Sequence, residues 1–247
     1  MSRISRSIMI AVALAAIPFT ARSQESGNGF LFGAPMGSVT LSGGWALASA
    51  HSDLFSYTTD LLTLNRRDFS SPAFGVDLAF RVLPRTELVM SSSFSGVSKR
   101  SEFRGFIDNN HQPIEQTTNF RRIPVTVGVK QYLTSNGRSI GKFAWIPSRF
   151  APYVGASGGA MYYHFRQDGD FINFETTDVF PSILVSEGWT PMANAIAGVD
   201  YALGPRFAIT TEARYLWSSA ELSQDFSGFH RLDLSGLSTT VGLSIRF

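Results

Sequence analysis

Apolar side chains alternate with small or polar ones along several segments of the chain, which is the period of a β-strand with two different faces. The pattern is clearest over residues 73–82, 207–217 and 236–247, and 122–133 follows it too. In the last segment Leu237, Val241, Leu243, Ile245 and Phe247 share the apolar face. Such a strand fits a soluble sheet with its polar face in water, or a membrane barrel with its apolar face in lipid.

Noisier alternation over 39–49, 87–98, 153–165 and 193–203 raises the number of predicted strands to eight. Tight turns are predicted at Leu83–Thr86 and Leu203–Arg206. Long links are predicted at 50–71, 99–119, 166–190 and 219–231. Short connections at one end and long ones at the other are typical of outer-membrane barrels, whose turns face the periplasm. The link 135–149 is too long for a periplasmic turn and breaks this pattern.

The N-terminal segment has the composition of a secretory signal peptide. Arg3 and Arg6 precede an apolar run over 8–17, and small residues follow up to Ser23. A transmembrane anchor would need about 20 apolar residues, roughly twice this run. The sequence therefore predicts a signal peptide over 1–23, a periplasmic N-terminal segment over 24–36 and one outer-membrane β-barrel over 37–247.

Charge and cysteine content narrow the possible functions. Removing the signal peptide takes away three of the 21 basic residues and none of the 19 acidic ones, which leaves a formal charge of −1. The basic pI of the whole chain therefore gives no indication of nucleic-acid binding. The absence of cysteine excludes disulfides, thiolate metal sites and a lipidated cysteine.

The composition of the polar faces favours the membrane alternative. A soluble barrel would carry long charged side chains on its water-facing surface, but charged residues are only 16% of this chain. The small polar residues suit the interior of a narrow barrel instead. Aromatic residues near strand ends and in the link 135–149 are predicted to lie at the membrane interfaces or the barrel rim. They are Trp45, Trp145, Tyr153, Tyr201, Tyr215 and Trp217.

Two stretches resemble the small outer-membrane β-barrel family that contains the OmpA transmembrane domain, OmpX and OmpW. The segment APYVGASGGAMYY is similar to a strand opening common in these barrels. The final strand, with Val241, Leu243, Ile245 and Phe247, resembles the signal read by the β-barrel assembly machinery. The resemblance implies an all-β, eight-stranded antiparallel transmembrane barrel, monomeric and surrounded by outer-membrane lipid and lipopolysaccharide. The family hosts many functions.

Eight charged residues on the predicted polar faces form a balanced set, with four acids and four bases. They are Asp77, Arg81, Glu87, Arg122, Lys130, Asp200, Glu212 and Arg214. Arg81 and Glu87 should lie opposite each other across the first tight turn, with Lys130 at the same level. Because unpaired charges in a narrow lumen are costly, we expect a network of ion pairs that fills the space. Alternatively, some of these charges lie at the rims in water.

The histidines give little indication of catalysis. His51 and Ser52 are adjacent, so in an extended chain they point apart, and His164 and His230 fit a rim or loop position. No cofactor or metal site is predicted. The link 166–190 carries Phe171, Phe174, Phe180 and Trp189, which either pack together or contact an extracellular ligand. Three roles remain open: a structural or surface-interaction barrel, a narrow channel for small or hydrophobic solutes, and a lipid-modifying enzyme.

Overall fold

Eight antiparallel strands form a closed ring in the computed structural model, which describes residues 33–107, 111–140, 144–173, 176 and 178–247. Each strand pairs with the next along the chain, and the first pairs with the last. The predicted eight-stranded antiparallel up-and-down barrel is confirmed. The barrel strands are β1 (Gly37–Ala48), β2 (Ser71–Leu83), β3 (Thr86–Ile107), β4 (Pro113–Tyr132), β7 (Phe150–Ile172), β8 (Val179–Ala202), β9 (Phe207–Ala220) and β11 (Gly236–Arg246).

The outer wall carries a continuous apolar belt. Leu41, Val127 and Leu243 are each about half exposed, and their inward neighbours are small or polar. In β2 the belt runs from Phe74 to Val82, which is about 26 Å along the strand and about 20 Å along a tilted barrel's axis. This height is close to that of the apolar band of a transmembrane barrel. The apolar face therefore meets lipid, and the soluble-sheet alternative is excluded.

Half of the barrel wall is much taller than the other half. Strands β3, β4, β7 and β8 have 20 to 24 residues, whereas β1, β2, β9 and β11 have 11 to 14. The predicted long links 99–119 and 166–190 are wrong, because β3 and β4 are separated only by 108–112 and β7 and β8 only by 173–178. The tall strands continue above the belt because their inward side chains there, such as Phe120 and Phe165, are buried against the extracellular loops.

The other two long links are loops that fold over the extracellular mouth. The first contains helix α1 (Asp53–Leu61) and a 3-10 helix at Arg66–Phe69. The second runs from 221 to 235 in the structure and contains a 3-10 helix at Gln224–Phe226 and the short strand β10 (Leu232–Asp233), which pairs with β9. No helix among the described residues is long and apolar enough to cross a bilayer.

The oversized periplasmic link folds into a hairpin of β5 (Gly137–Ile140) and β6 (Ala144–Pro147). It lies at the end of the barrel that holds the two tight turns and the paired termini, where Phe247 contacts the start of β1. Trp145 of this hairpin is buried, whereas Ile140 and Ile146 are exposed, and Phe143 lies outside the described residues. The hairpin therefore turns one aromatic side chain into the barrel. The predicted signal peptide over 1–23 and most of the segment 24–36 also lie outside the described residues.

Candidate functional site

The barrel interior is filled by layers of side chains, beginning at the periplasmic mouth. There the guanidinium carbons of Arg81 and Arg246 each lie 5.8 Å from the centroid of the Trp145 ring. Gly137 makes room for it, since an added Cβ would lie 2.3 Å from the ring. Of the two positions predicted for Trp145, the membrane interface is wrong, because the ring is only 1% exposed; it lies at the periplasmic rim and faces the lumen. Stacking on two cations holds it there.

The first polar layer above Trp145 is centred on Asp200. This carboxylate accepts hydrogen bonds from the Tyr132 hydroxyl at 2.6 Å and the Thr210 hydroxyl at 2.8 Å, and lies 3.8 Å from the Arg246 guanidinium. The Glu87 carboxylate lies 3.4 Å from the same Tyr132 hydroxyl. The single proton of the Tyr132 hydroxyl is donated to Asp200, the nearer carboxylate, and the contact with Glu87 is the weaker one; Tyr132 thus links strands β3, β4 and β8.

The predicted pairing around Glu87 is confirmed in register. Arg81 on β2 and Lys130 on β4 both lie opposite Glu87 on β3. Among the described ion pairs, neither base lies within 4.0 Å of the Glu87 carboxylate. Their interaction with it is therefore a longer-range electrostatic attraction and not a direct ion pair. The Lys130 ammonium instead lies 3.9 Å from the centre of the Tyr153 ring. A cation over a desolvated aromatic face is a favourable contact.

The second polar layer joins Asp77, Glu212 and Arg214. The Arg214 guanidinium donates to Glu212 Oε1 at 2.7 and 3.0 Å and to Asp77 Oδ1 at 3.3 Å. The Tyr153 hydroxyl donates to the other Glu212 oxygen at 2.9 Å. Glu212 therefore has partners on both oxygens, as a buried carboxylate requires.

The assignment of Tyr153 to the membrane interface is wrong. Its ring is 1% exposed and lies inside the barrel, where Gly198 leaves space for it. A Cβ at Gly198 would lie 2.5 Å from the Tyr153 hydroxyl oxygen. The alternation of β7 places Tyr153 on the inward face with Ala151. Tyr153 and Lys130 together connect the two polar layers.

Arg122 lies apart from both polar layers. Its guanidinium is buried and donates to the backbone carbonyl of Leu234 at 3.0 Å, and it also lies over the Phe120 ring at 5.2 Å. It forms no ion pair with a carboxylate among the described residues. Below it a cavity of about 60 Å³ is bordered by Asn194 and Arg214. The predicted network of eight charges thus splits into two layers and one separate arginine.

The extracellular layer is an aromatic cluster formed by Phe55, Phe69, Phe120, Phe165 and Phe226. Phe55 of α1 contacts three of these rings, with centroid distances of 4.6 to 5.7 Å. Phe226 from the last loop packs on Phe165 at 5.5 Å. Both extracellular loops therefore insert phenylalanines between the tall strands and close the lumen from above.

The remaining predicted residues lie on the outer wall. Trp45, Tyr215 and Trp217 are exposed at the extracellular edge of the belt, and Tyr201 lies at the periplasmic edge, where its hydroxyl accepts from Arg149. The final strand turns its proposed assembly signal outward. The exposed residues are Val241, Leu243, Ile245 and Phe247. Their recognition by the assembly machinery stays a prediction.

Sequence reasoning missed three inward residues that complete the lower layer, namely Tyr132, Thr210 and Arg246. Tyr132 lies two positions beyond Lys130, and Thr210 lies two positions before Glu212, so the strand period places both inside. Arg246 falls on the polar face of the final strand. The strand period thus places all three inside, but it does not show that two hydroxyl groups and a ninth charge would join the predicted set.

The histidines lie on the extracellular loops or the upper outer wall. His164 contacts Glu187 at 2.8 Å, His230 contacts Asp53 at 2.8 Å, and His51 lies 3.9 Å from Asp233. Each of these partners is a carboxylate, and no described hydrogen bond joins a histidine side chain to a serine hydroxyl. The described histidine contacts thus tie surface segments together.

No known protein-family model matches the chain, and a comparison with curated proteins found no match. Solved structures that resemble it include OprG from Pseudomonas aeruginosa, with 15% identity, a TM-score of 0.47, and coverage of 87% of this chain and 98% of that one. Neisserial surface protein A matches at 12% identity and a TM-score of 0.45, covering 89% and 98%. Ail of Yersinia pestis, solved with the heparin analogue sucrose octasulfate, matches at 14% and 0.42, covering 86% and 99%.

At these identities and TM-scores the matches carry no argument about function. The barrel's own geometry is the stronger guide. A closed ring of eight strands leaves no free edge, and its apolar belt and polar interior are those of a membrane-spanning barrel. The chain is an eight-stranded outer-membrane β-barrel protein of the architecture that its sequence resemblance implied.

Proposed function

We propose that the chain is a non-enzymatic, non-conducting outer-membrane barrel that holds a rigid structure at the cell surface for interaction. The observation that carries this proposal is the filled lumen. Trp145 blocks the periplasmic mouth, two polar layers follow, and the aromatic cluster blocks the extracellular mouth.

Each layer is costly to displace. The two polar layers are cross-linked by buried tyrosines, and removing one partner of a buried ion pair costs about 3–5 kcal/mol. The cavity between the second layer and Arg122, about 60 Å³, has room for a few water molecules and not for a solute. These features argue against the narrow-channel alternative.

The tall half of the wall supports a surface role. Beyond the belt, β7 and β8 stay paired as far as Ile172 and Val179, so they form a stiff projection. Phe171 and Phe180 stack near its tip with centroids 6.3 Å apart. Of the aromatics in the predicted link, these two pack on each other, Trp189 packs on Tyr162, and Phe174 lies outside the described residues.

Exposed apolar side chains remain on this projection, including Phe180 and Ile183 at about half exposure. Exposed apolar groups on an ordered extracellular sheet are suited to contact with another surface. We assign the interaction role to this projection.

Conductance in planar bilayers tests the proposal. The refolded mature chain is expected to give no steady current steps, whereas an open porin in the same bilayer shows that insertion events are detected. Trp145→Ala should stay silent as well, because it removes only one layer. Steady steps from the wild-type chain would support a channel, and turnover in a lipid-hydrolysis assay would support an enzyme. Either result contradicts the proposal.

A further inference from the structure

Two neighbouring arginines lie at the extracellular edge of the lipid belt without acidic partners. Arg66 and Arg67 form the start of the 3-10 helix, and both are exposed. Among the described residues neither forms an ion pair, and Arg66 has only a long hydrogen bond of 3.4 Å to the Ser56 hydroxyl. The adjacent Asp68 carboxylate is engaged by Lys99 at 3.5 Å and the Asn65 amide at 2.9 Å.

The position of these arginines is held by the packing of their helix. Asn65 and Asp68 exchange hydrogen bonds around its first turn, and Phe69 inserts into the aromatic cluster. The backbone that carries the two guanidinium groups is therefore anchored at both ends. Two consecutive arginines that line one concavity from an ordered backbone differ from arginines on a free loop.

Beneath the arginines lies a concavity of about 370 Å³ on the outer wall. It is lined by Trp45, Leu47, Ala48, Arg66, Arg67 and Ser70. Trp45 and Leu47 are about half exposed and are the last outward apolar residues of β1 at the extracellular end. The Ser70 hydroxyl accepts the Ala48 amide at 3.3 Å, so its proton is free to be donated. The concavity thus has an apolar floor on the lipid side and donors above it.

We propose that this concavity binds the phosphorylated sugar headgroup of an outer-leaflet glycolipid of the lipid A type. Guanidinium groups bind phosphate with two parallel hydrogen bonds, and two of them suit one phosphate or two close ones. The indole of Trp45 and the side chain of Leu47 lie where the acyl chains of the same lipid would descend. A free phosphate ion would not use this apolar floor, so the combination favours a lipid.

The test uses the folded mature chain in detergent micelles and native mass spectrometry. The probes are bisphosphorylated lipid A, the same lipid without phosphates, and phosphatidylglycerol. The wild-type chain is expected to bind bisphosphorylated lipid A at least 10-fold more tightly than either of the others. Arg66→Gln with Arg67→Gln should abolish that preference.

The matched control is Arg85→Gln with Arg138→Gln. Both of these arginines are exposed at the periplasmic end, so the control removes the same charge far from the concavity. It should keep the preference within twofold. Retention of the barrel's heat-dependent gel shift shows that each variant is folded, and if the double variant does not fold, the wild-type comparison of the three lipids decides.

Three results would overturn the proposal. The first is equal binding of the lipid with and without phosphates. The second is equal binding of phosphatidylglycerol, which would indicate a general anionic-lipid surface. The third is an equal loss of preference in the periplasmic control, which would indicate a net-charge effect.

Discussion

Replacing Glu212 with alanine should destabilise the barrel by about 3 kcal/mol, because three hydrogen bonds to a buried carboxylate are lost together. The Tyr153 hydroxyl loses its acceptor, and Arg214 keeps only the 3.3 Å contact with Asp77. Breaking a buried ion pair costs about 3–5 kcal/mol, and the remaining Asp77 contact places the expected value at the lower end.

The matched control is Glu115→Ala, which breaks an ion pair with Arg100 on the exposed outer surface. Pairs in water contribute about 0–1 kcal/mol, so this variant should differ little from the wild-type chain. The free energy of unfolding of both variants would be measured by reversible urea unfolding in lipid vesicles, followed by tryptophan fluorescence.

A free energy of unfolding for Glu212→Ala within about 1 kcal/mol of the wild-type value would refute this reasoning. It would mean that water reaches the layer and solvates Arg214. Glu212→Gln separates charge from packing, since it keeps the volume and one acceptor for Tyr153. It should lie between the wild-type chain and the alanine variant.

Three further outcomes follow from contacts elsewhere in the barrel. In a chain that retains Trp145 as its only tryptophan, neither aqueous iodide nor brominated lipid should quench the fluorescence, because the ring is buried. In the control that retains only the exposed Trp217, brominated lipid should quench the fluorescence. Quenching of Trp145 by the lipid would place its ring at the membrane interface. Arg122→Met should change the free energy of unfolding by less than about 1 kcal/mol, because removing the cost of burying a charge offsets the lost hydrogen bond to the Leu234 carbonyl. A loss above about 3 kcal/mol in urea unfolding would show that Arg122 is ion-paired. The His230 backbone amide lowers the pKa of Asp53 below its usual value of 3.8, so their contact stabilises the loops above that pH and is lost as pH falls through the lowered pKa. The NMR shift of the His230 amide should report this loss in the wild-type chain and be flat with pH in Asp53→Asn.

The sequence predicted the membrane-spanning part of the barrel well, because one rule governs it throughout. Lipid contacts one face and a narrow polar lumen the other, so alternation in β2, β9 and β11 placed nearly every side chain correctly. The same rule placed Arg81 and Lys130 at the level of Glu87. Register across a tight turn is readable from sequence because the turn fixes it.

Above the membrane the apolar side chains of the strands face inward and the polar ones outward, which is the reverse of the pattern within the membrane. The prediction of loops at 99–119 and 166–190 was wrong for that reason. In β4, the odd-numbered Val125 and Val127 face lipid, but the even-numbered Ile114 and Phe120 face inward to the aromatic cluster. The apolar side chains thus move to the opposite face within one strand. A strand whose apolar face changes sides partway does not show one continuous alternation, so its full length cannot be recognised from that pattern.

The interfacial aromatics show a second limit. Period alone cannot tell an outward tyrosine at a girdle from an inward one that satisfies a buried carboxylate, and Tyr153 is of the second kind. Trp145 could not be placed by any strand period, since its position depends on a hairpin that folds back on the mouth. Both positions follow from contacts between segments far apart in sequence.

The contacts of Trp145 also constrain the order in which the strands of the barrel assemble. The two arginines over its ring are Arg81 of β2 and Arg246, the last residue of β11, so both contacts exist only once β1 and β11 have paired. The hairpin can form early from its own hydrogen bonds, but the indole cannot contact both arginines until the last strand arrives. Burial of Trp145 should therefore report the closure of the sheet into a barrel.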